Sequence, residues 1–302
     1  MKPIFQIISI LIIITIVESC NFNSKSQPKS LKELHSTFTE EELKPEINNL
    51  DKDHLTFIAT GHLYPLLNFP QFYDSLIATI KKQNPDYVFY LGDMVFNNTQ
   101  EEWNSVFDYN NEIKDIIYFS PGNHDLNFHY ERYEGDITNQ NTAELRYLEN
   151  VGYRYKLIKD NHANFLLINM NDSLERIAEY VSLIKPKIDN DKPVFVMSSQ
   201  SAWHNGQQNP EDVRTWPLKS FDKDEILTVI RFGDNLVHGD WNKKFYRSTF
   251  YNKGNGTFNV FSVGNRKKGD SLYIAKFDVF KDTVITNAIF IPTPDSCKWY
   301  NK

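Results

Sequence analysis

The stretch Ile116-Ile117-Tyr118-Phe119-Ser120-Pro121-Gly122-Asn123-His124-Asp125 decides how this chain is read. Its apolar first half predicts a buried strand, and Pro121-Gly122 predicts the turn that ends it. Asn123, His124 and Asp125 then follow one another on a loop, three side chains able to meet metals, phosphate or protons. Asn and Asp are also ordinary turn formers, so a polar turn alone would account for the composition. Whether other strands end in the same manner separates the two possibilities.

Two others do. Residues 54–59 are a compact apolar run ending at Thr60-Gly61-His62, and residues 87–91 are a second, ending at Gly92-Asp93. Between them, 69–83 carries Phe72, Leu76, Ile77 and Ile80 at helical spacing, and Pro85 stops the helix. Residues 100–114 predict another helix, with Trp103, Val106 and Phe107 inward. Continuous apolar strands alternating with amphipathic helices predict an α/β domain with both sheet faces covered. In such folds the ligand site lies beyond the carboxyl ends of the strands. His62, Asp93 and Asn123-His124-Asp125 therefore converge on one crevice.

Farther on, a Tyr-rich stretch at 130–155 contains a helix at 142–150. Residues 154–158 and 164–170 predict a hairpin, and 173–185 a helix. A buried strand at 193–197 runs into Ser198-Ser199-Gln200-Ser201. A helix at 222–232 precedes a short strand at 235–237, which ends in His238-Gly239-Asp240-Trp241-Asn242. Alternation and short turns predict antiparallel strands at 257–263, 271–280 and 283–291. No internal repeat is present.

Of the 302 residues, 40% are hydrophobic and 24% charged, which predicts a packed globular body. A net charge of −6 without a basic run argues against a nucleic acid as partner, because phosphate neutralisation needs clustered Lys and Arg. At the N-terminus, Met1-Lys2 precedes an apolar run over 4–17 and then Val17-Glu18-Ser19-Cys20. The run is short for a membrane span of roughly 20 residues and has the layout of a secretory signal. Its end resembles a bacterial lipobox, off pattern at Glu18, in which the cysteine is lipidated; a plain signal anchor is the alternative. The expectation is export to the cell envelope with a lipid anchor on Cys20. Cys297 then has no partner, so neither a disulfide framework nor a Cys-based metal site is available. The chain divides into a signal (1–20), a polar flexible tether (21–52), the domain (53–295) and a tail (296–302). Within the tether, 36–48 is at most a short acidic helix.

Taken in order, the motifs resemble the calcineurin-like metallophosphoesterase superfamily, over roughly residues 54–292. That family is a four-layer α/β/β/α sandwich with a two-metal site on strand-end loops. Its motifs run Asp-x-His, Gly-Asp, Gly-Asn-His-Asp or Glu, a lone His after a buried strand, and Gly-His-x-His. Here Gly92-Asp93 and Gly122-Asn123-His124-Asp125 match in full. The resemblance implies His62 as a ligand of the first metal, Asp93 as the bridging carboxylate and Asn123 as an amide-oxygen ligand. It implies His124 as the imidazole serving the leaving group and Asp125 as the residue that orients it. Two metals about 3.5–4 Å apart would generate hydroxide and hold the phosphoryl oxygens. Such oxygen and nitrogen ligands suit Mn, Fe or Zn.

The departures are as informative as the matches. Thr60 replaces the first Asp, Ser199 the lone His, and Asp240 and Asn242 the two histidines of Gly-His-x-His. A shifted register would put His238 and Asp240 on those two positions and lose the glycine. His204 and His238 lie near the lost positions in sequence and are candidates to compensate. The expectation is one weak divalent site rather than two, drawn from His62, Asp93, Asn123, Asp240 and Asn242. The resemblance implies a membrane-tethered chain that is by ancestry a metal-dependent phosphoester hydrolase, with a partly degenerate site. The alternative is a catalytically inactive relative, a binding or scaffold domain of the envelope whose ligand is a phosphoester or another envelope component. Glycan or peptide binding by the Tyr-rich stretch is a third option, resting on composition.

Overall fold

The computed structural model describes residues 38–126, 137–172, 174–200, 234–239, 246–252, 256–264 and 271–292. In chain order these form α1 (Glu40–Leu43), β1 (Glu46–Ile47), β2 (Leu55–Thr60), α2 (Pro70–Lys82), β3 (Tyr87–Leu91), α3 (Gln100–Tyr109) and β4 (Ile117–Ser120). There follow α4 (Ile137–Val151), β5 (Lys156–Lys159), β6 (Asn164–Ile168), α5 (Leu174–Ile184), β7 (Val194–Ser198) and β8 (Asn235–His238). Four antiparallel-paired strands complete the set: β9 (Tyr246–Asn252), β10 (Gly256–Ser262), β11 (Ser271–Val279) and β12 (Val284–Pro292).

The strands make two sheets, a five-stranded one in the order β12-β11-β2-β3-β4 and a seven-stranded one in the order β1-β5-β6-β7-β8-β10-β9. Strands β2, β3, β6, β7 and β8 are buried at every residue, and their sequences are mainly apolar, as a sheet covered on both faces requires. Alternate side chains face opposite ways. One set, Phe57, Ala59, Phe89 and Leu91, meets Phe165, Leu167, Phe195, Met197, Val237 and Phe261 across the gap between the sheets. Phe57 sits among these rings, stacked on Phe277 at 4.4 Å and edge-on to Phe165 at 5.1 Å and Phe195 at 5.0 Å. The other set, Ile58, Val88 and Tyr90, packs on Phe72, Leu76 and Ile80 of α2 and Trp103 and Val106 of α3. Helix α5 buries Ile177, Tyr180, Val181 and Ile184, with the Tyr180 ring 4.5 Å from Tyr155 at a tilt of 37°, just ahead of β5. The architecture is the expected sandwich of two sheets with helices outside.

Several details differ from the sequence expectations. The helix expected over 100–114 stops at Tyr109, because Asn110 turns inward and joins Tyr90 and Tyr73 through its amide. The helix expected at 142–150 runs from Ile137 to Val151. Strand β9 was not anticipated: Tyr246-Arg247-Ser248-Thr249-Phe250-Tyr251-Asn252 has no apolar run, as suits a strand paired on one side only. The helix expected at 222–232 lies outside the described residues.

The domain also begins earlier than the expected boundary at 53, since its compact unit starts at Thr39. Thr39 and Glu42 form a reciprocal capping box on α1, and β1 pairs in parallel with β5. Glu42 is fully buried, with its carboxylate on Arg154. Polar composition signalled a tether here because it cannot show that a charge has a buried partner.

Candidate functional site

The loops that follow β2, β3, β4, β7 and β8 meet at one end of the sandwich, and glycines let them do so. A Cβ placed on Gly239 would lie 1.8 Å from the Leu91 carbonyl oxygen, and one on Gly122 would lie 2.2 Å from Asp93 Oδ1. Only a residue without a side chain fits either position. Gly239, after β8 in one sheet, is thereby held against β3 and Gly61 in the other. Ser199 closes on the same point, its Cβ occupying the space beside Gly92.

His62 and Asp93 have φ of +62° and +58°, a left-handed backbone that costs a side-chain-bearing residue about 1–3 kcal/mol. The cross-links between loops impose it. His62 N–H donates to Gly92 O at 2.9 Å, and Tyr64 N–H donates to Asp93 O at 3.0 Å. The chief clamp is Asp125. Its Oδ2 accepts from Asp93 N–H and Gly122 N–H, each at 2.8 Å, and its Oδ1 accepts from Met94 N–H at 2.8 Å and Val95 N–H at 3.1 Å.

These contacts correct the role expected for Asp125. It ties the Gly92-Asp93 loop to the Gly122 turn and is not what orients His124. The His124 ring is instead set by Phe96, whose carbonyl oxygen can only accept, so Nδ1 carries the proton across 2.9 Å. The ring belongs to a three-ring cluster, 4.9 Å from Phe96 at 26° and 4.8 Å from Tyr64 at 33°, with those two rings 5.2 Å from each other. Neither Phe96 nor Tyr64 was marked by the sequence: each is one aromatic residue in a loop of a chain rich in them.

Asp93 is buried and lies at the electrostatic centre. Burial works to raise its carboxyl, but the charge and hydrogen bond of His62, with the charge and N–H of His124, outweigh it and hold the group below its ordinary range. One oxygen, Oδ2, faces His62 Nδ1 at 3.0 Å, and the other, Oδ1, accepts from His124 N–H at 3.1 Å. Burial and the nearby Asp93 charge push Asp125 the other way, to about 7, against the pull of its four N–H donors. Asp125→Asn should leave two of those N–H groups facing an amide NH₂, costing about 2–4 kcal/mol. Thermal unfolding measures this directly, and an unchanged Tm would remove the clamp role.

Among the described residues the donor set does not complete a two-metal centre. The two strongest donors, Asp93 Oδ2 and His62 Nδ1, lie 3.0 Å apart, close enough to pair or to share one ion. Thr60 offers a hydroxyl that donates to Tyr273 O at 3.5 Å, and Ser199 offers a buried hydroxyl that has no hydrogen-bond partner among the described residues. Asn123 is half-buried beside them, and His238 is buried at the end of β8, opposite Ser198 and Ser262. Among the described residues no three His, Cys, Asp or Glu side chains could hold a metal ion. Asp240, Asn242, His204 and Cys20 lie outside the described residues.

The family profile for the calcineurin-like phosphoesterase matches residues 54–234. Among solved structures, the chain is similar to a dimetal phosphatase from Danio rerio at 10% identity and a TM-score of 0.52, covering 80% of this chain and 100% of that one. It is also similar to a purple acid phosphatase from yellow lupin (Lupinus luteus) seeds at 10% identity and a TM-score of 0.53, covering 82% of this chain and 55% of the plant chain. At such identity these similarities concern the fold alone. No curated protein matches in sequence.

Proposed function

We propose that this chain, which belongs to the calcineurin-like phosphoesterase family, is a membrane-tethered domain that binds a phosphoester-bearing component of the cell envelope and hydrolyses it slowly or not at all. One observation carries the reading: Thr60, whose hydroxyl donates to Tyr273 O at 3.5 Å, and Ser199, with a buried neutral hydroxyl, stand at two positions where the family has a carboxylate and an imidazole. With those ligands replaced, the crevice loses most of its affinity for cations. At most one divalent ion, held by Asp93, His62 and Asn123 with help from the segment after Gly239, is consistent with these donors.

His124 supports a second reading, residual hydrolysis. Its Nδ1 is committed to Phe96 O and its ring packs against the adjoining Tyr64 and Phe96 rings, the preset orientation that leaving-group assistance requires. Turnover of bis(4-nitrophenyl) phosphate by the wild type and by Asp93→Asn separates the readings. The binding reading expects rates within about tenfold of one another, whereas a fall of about 100-fold or more would establish hydrolysis dependent on Asp93.

The tether is part of the proposal. The signal-like start and Cys20 support lipid anchoring at the cell envelope. Cys20→Ser should move the protein from the membrane to the soluble fraction; retention of an unprocessed chain in the membrane would point to a signal anchor instead.

A further inference from the structure

A cavity of about 570 Å³ opens at the end of the sandwich away from the crevice. Its walls include Pro193 and Asn235, at the starts of β7 and β8, and the turn between β11 and β12. The crevice lies beyond the other ends of those strands, roughly 13 Å away for four residues of strand. The volume is within the range of small-molecule sites, about 300–1,000 Å³.

The strand register shows what is unusual here. Val237 of β8 and Phe261 of β10 point into the apolar layer between the sheets. Two residues earlier on each strand, and so on the same face, stand Asn235 and Asn259, side by side in the pairing. Two amides thus occupy inner-face positions that an apolar core would fill. Asn259 Nδ2 donates to Asn235 Oδ1 at 3.2 Å. Asn235 is 1% exposed, and its own Nδ2 has no hydrogen-bond partner among the described residues. A buried N–H left without an acceptor costs about 1–3 kcal/mol, and Asn235 is among the residues that line the cavity.

We propose that this cavity binds a neutral polyhydroxylated ligand, a hexose or similar sugar. The orphan Asn235 Nδ2 requires an acceptor, which a metal or ammonium cation cannot be. The carboxylates of Asp191, Asp234 and Asp282, against the ammonium groups of Lys192 and Lys281, disfavour an anion. A hydroxyl satisfies both demands, accepting from the amide and donating to a carboxylate. Phe280, half-buried in the facing turn and backed by His54 at a ring separation of 4.8 Å, supplies an apolar wall for a sugar's C–H face.

The test is calorimetric titration of the purified protein with D-glucose, D-galactose and N-acetyl-D-glucosamine, and with acetate and spermidine as charged probes. One of the sugars should bind in the millimolar range, about −4 kcal/mol. Asn235→Leu should remove that binding. Asp282→Ala, on an exposed turn where folding is not at stake, should weaken it about tenfold, one lost hydrogen bond to a charged group. Failure of all three sugars to bind would overturn the proposal and leave the amide pair as a hydrated cap on the sandwich. Sugar binding indifferent to both substitutions would place the site elsewhere. Binding of acetate or spermidine in place of a sugar would overturn the ligand class.

Discussion

Glu42→Ala should destabilise the domain by about 3–5 kcal/mol, among the largest single-residue effects in the molecule. Glu42 lies in a stretch that composition alone assigns to a tether, yet it is fully buried. Its Oε1 accepts from both Arg154 N–H and Arg154 Nε at 2.8 Å, and its Oε2 accepts from Arg154 Nη2 at 3.0 Å. Arg154 is itself fully buried and pairs on its other side with Glu144. Removing Glu42 leaves a desolvated guanidinium with half its counter-charge, the circumstance in which breaking a buried ion pair costs most. Tyr180 Oη, which donates to Glu42 O at 3.2 Å, ties α5 to the same point. The expected fall in Tm is roughly 6–20 °C for a domain of this size. Deleting everything before Lys44 should do the same. A Tm within about 2 °C of wild type would mean that residues 39–43 are tether after all.

Restoring ligands should be the largest functional change. In Thr60→Asp with Ser199→His, the crevice regains a carboxylate on the β2 side and an imidazole on the β7 side. These can draw Asp93 Oδ2 away from His62. Ser199 already abuts Gly92, and its buried hydroxyl has no hydrogen-bond partner among the described residues. Mn²⁺ affinity should rise about 100-fold or more, since even outer partners of a metal site are worth 10–100-fold. Phosphodiester turnover should rise with it, because hydroxide forms near neutral pH only on a firmly held ion. Tight metal binding with no gain in turnover would place the defect in the segment after Gly239, where Asp240 and Asn242 stand.

The middle of the fold was legible because each of β2, β3 and β4 is an apolar run closed by a turn, and because Gly92-Asp93 and Gly122-Asn123-His124-Asp125 keep their spacing. The second sheet covers one face of these strands and helices the other, and that is the condition under which an apolar run is a reliable signal. The edges were not legible. Strand β9 pairs on one side only, and α1 and β1 are polar because their charges are partnered inside. Asp125 was expected to orient His124, whereas its carboxylate accepts from four backbone N–H groups. A sequence shows that a carboxylate follows a histidine, but not that four backbone N–H groups from two loops surround it. Asn235 and Asn259 were invisible for a related reason: their interest lies in facing the inter-sheet layer, which the pairing of β8 with β10 decides.

Metal analysis of the purified protein, followed by titration with Mn²⁺, Zn²⁺ and Mg²⁺, tests the degenerate-site claim most directly. With Asp93 paired to His62, and Thr60 and Ser199 at ligand positions, the expected result is at most one loosely held ion per chain, removable by a mild chelator. Two tightly held ions per chain would contradict it.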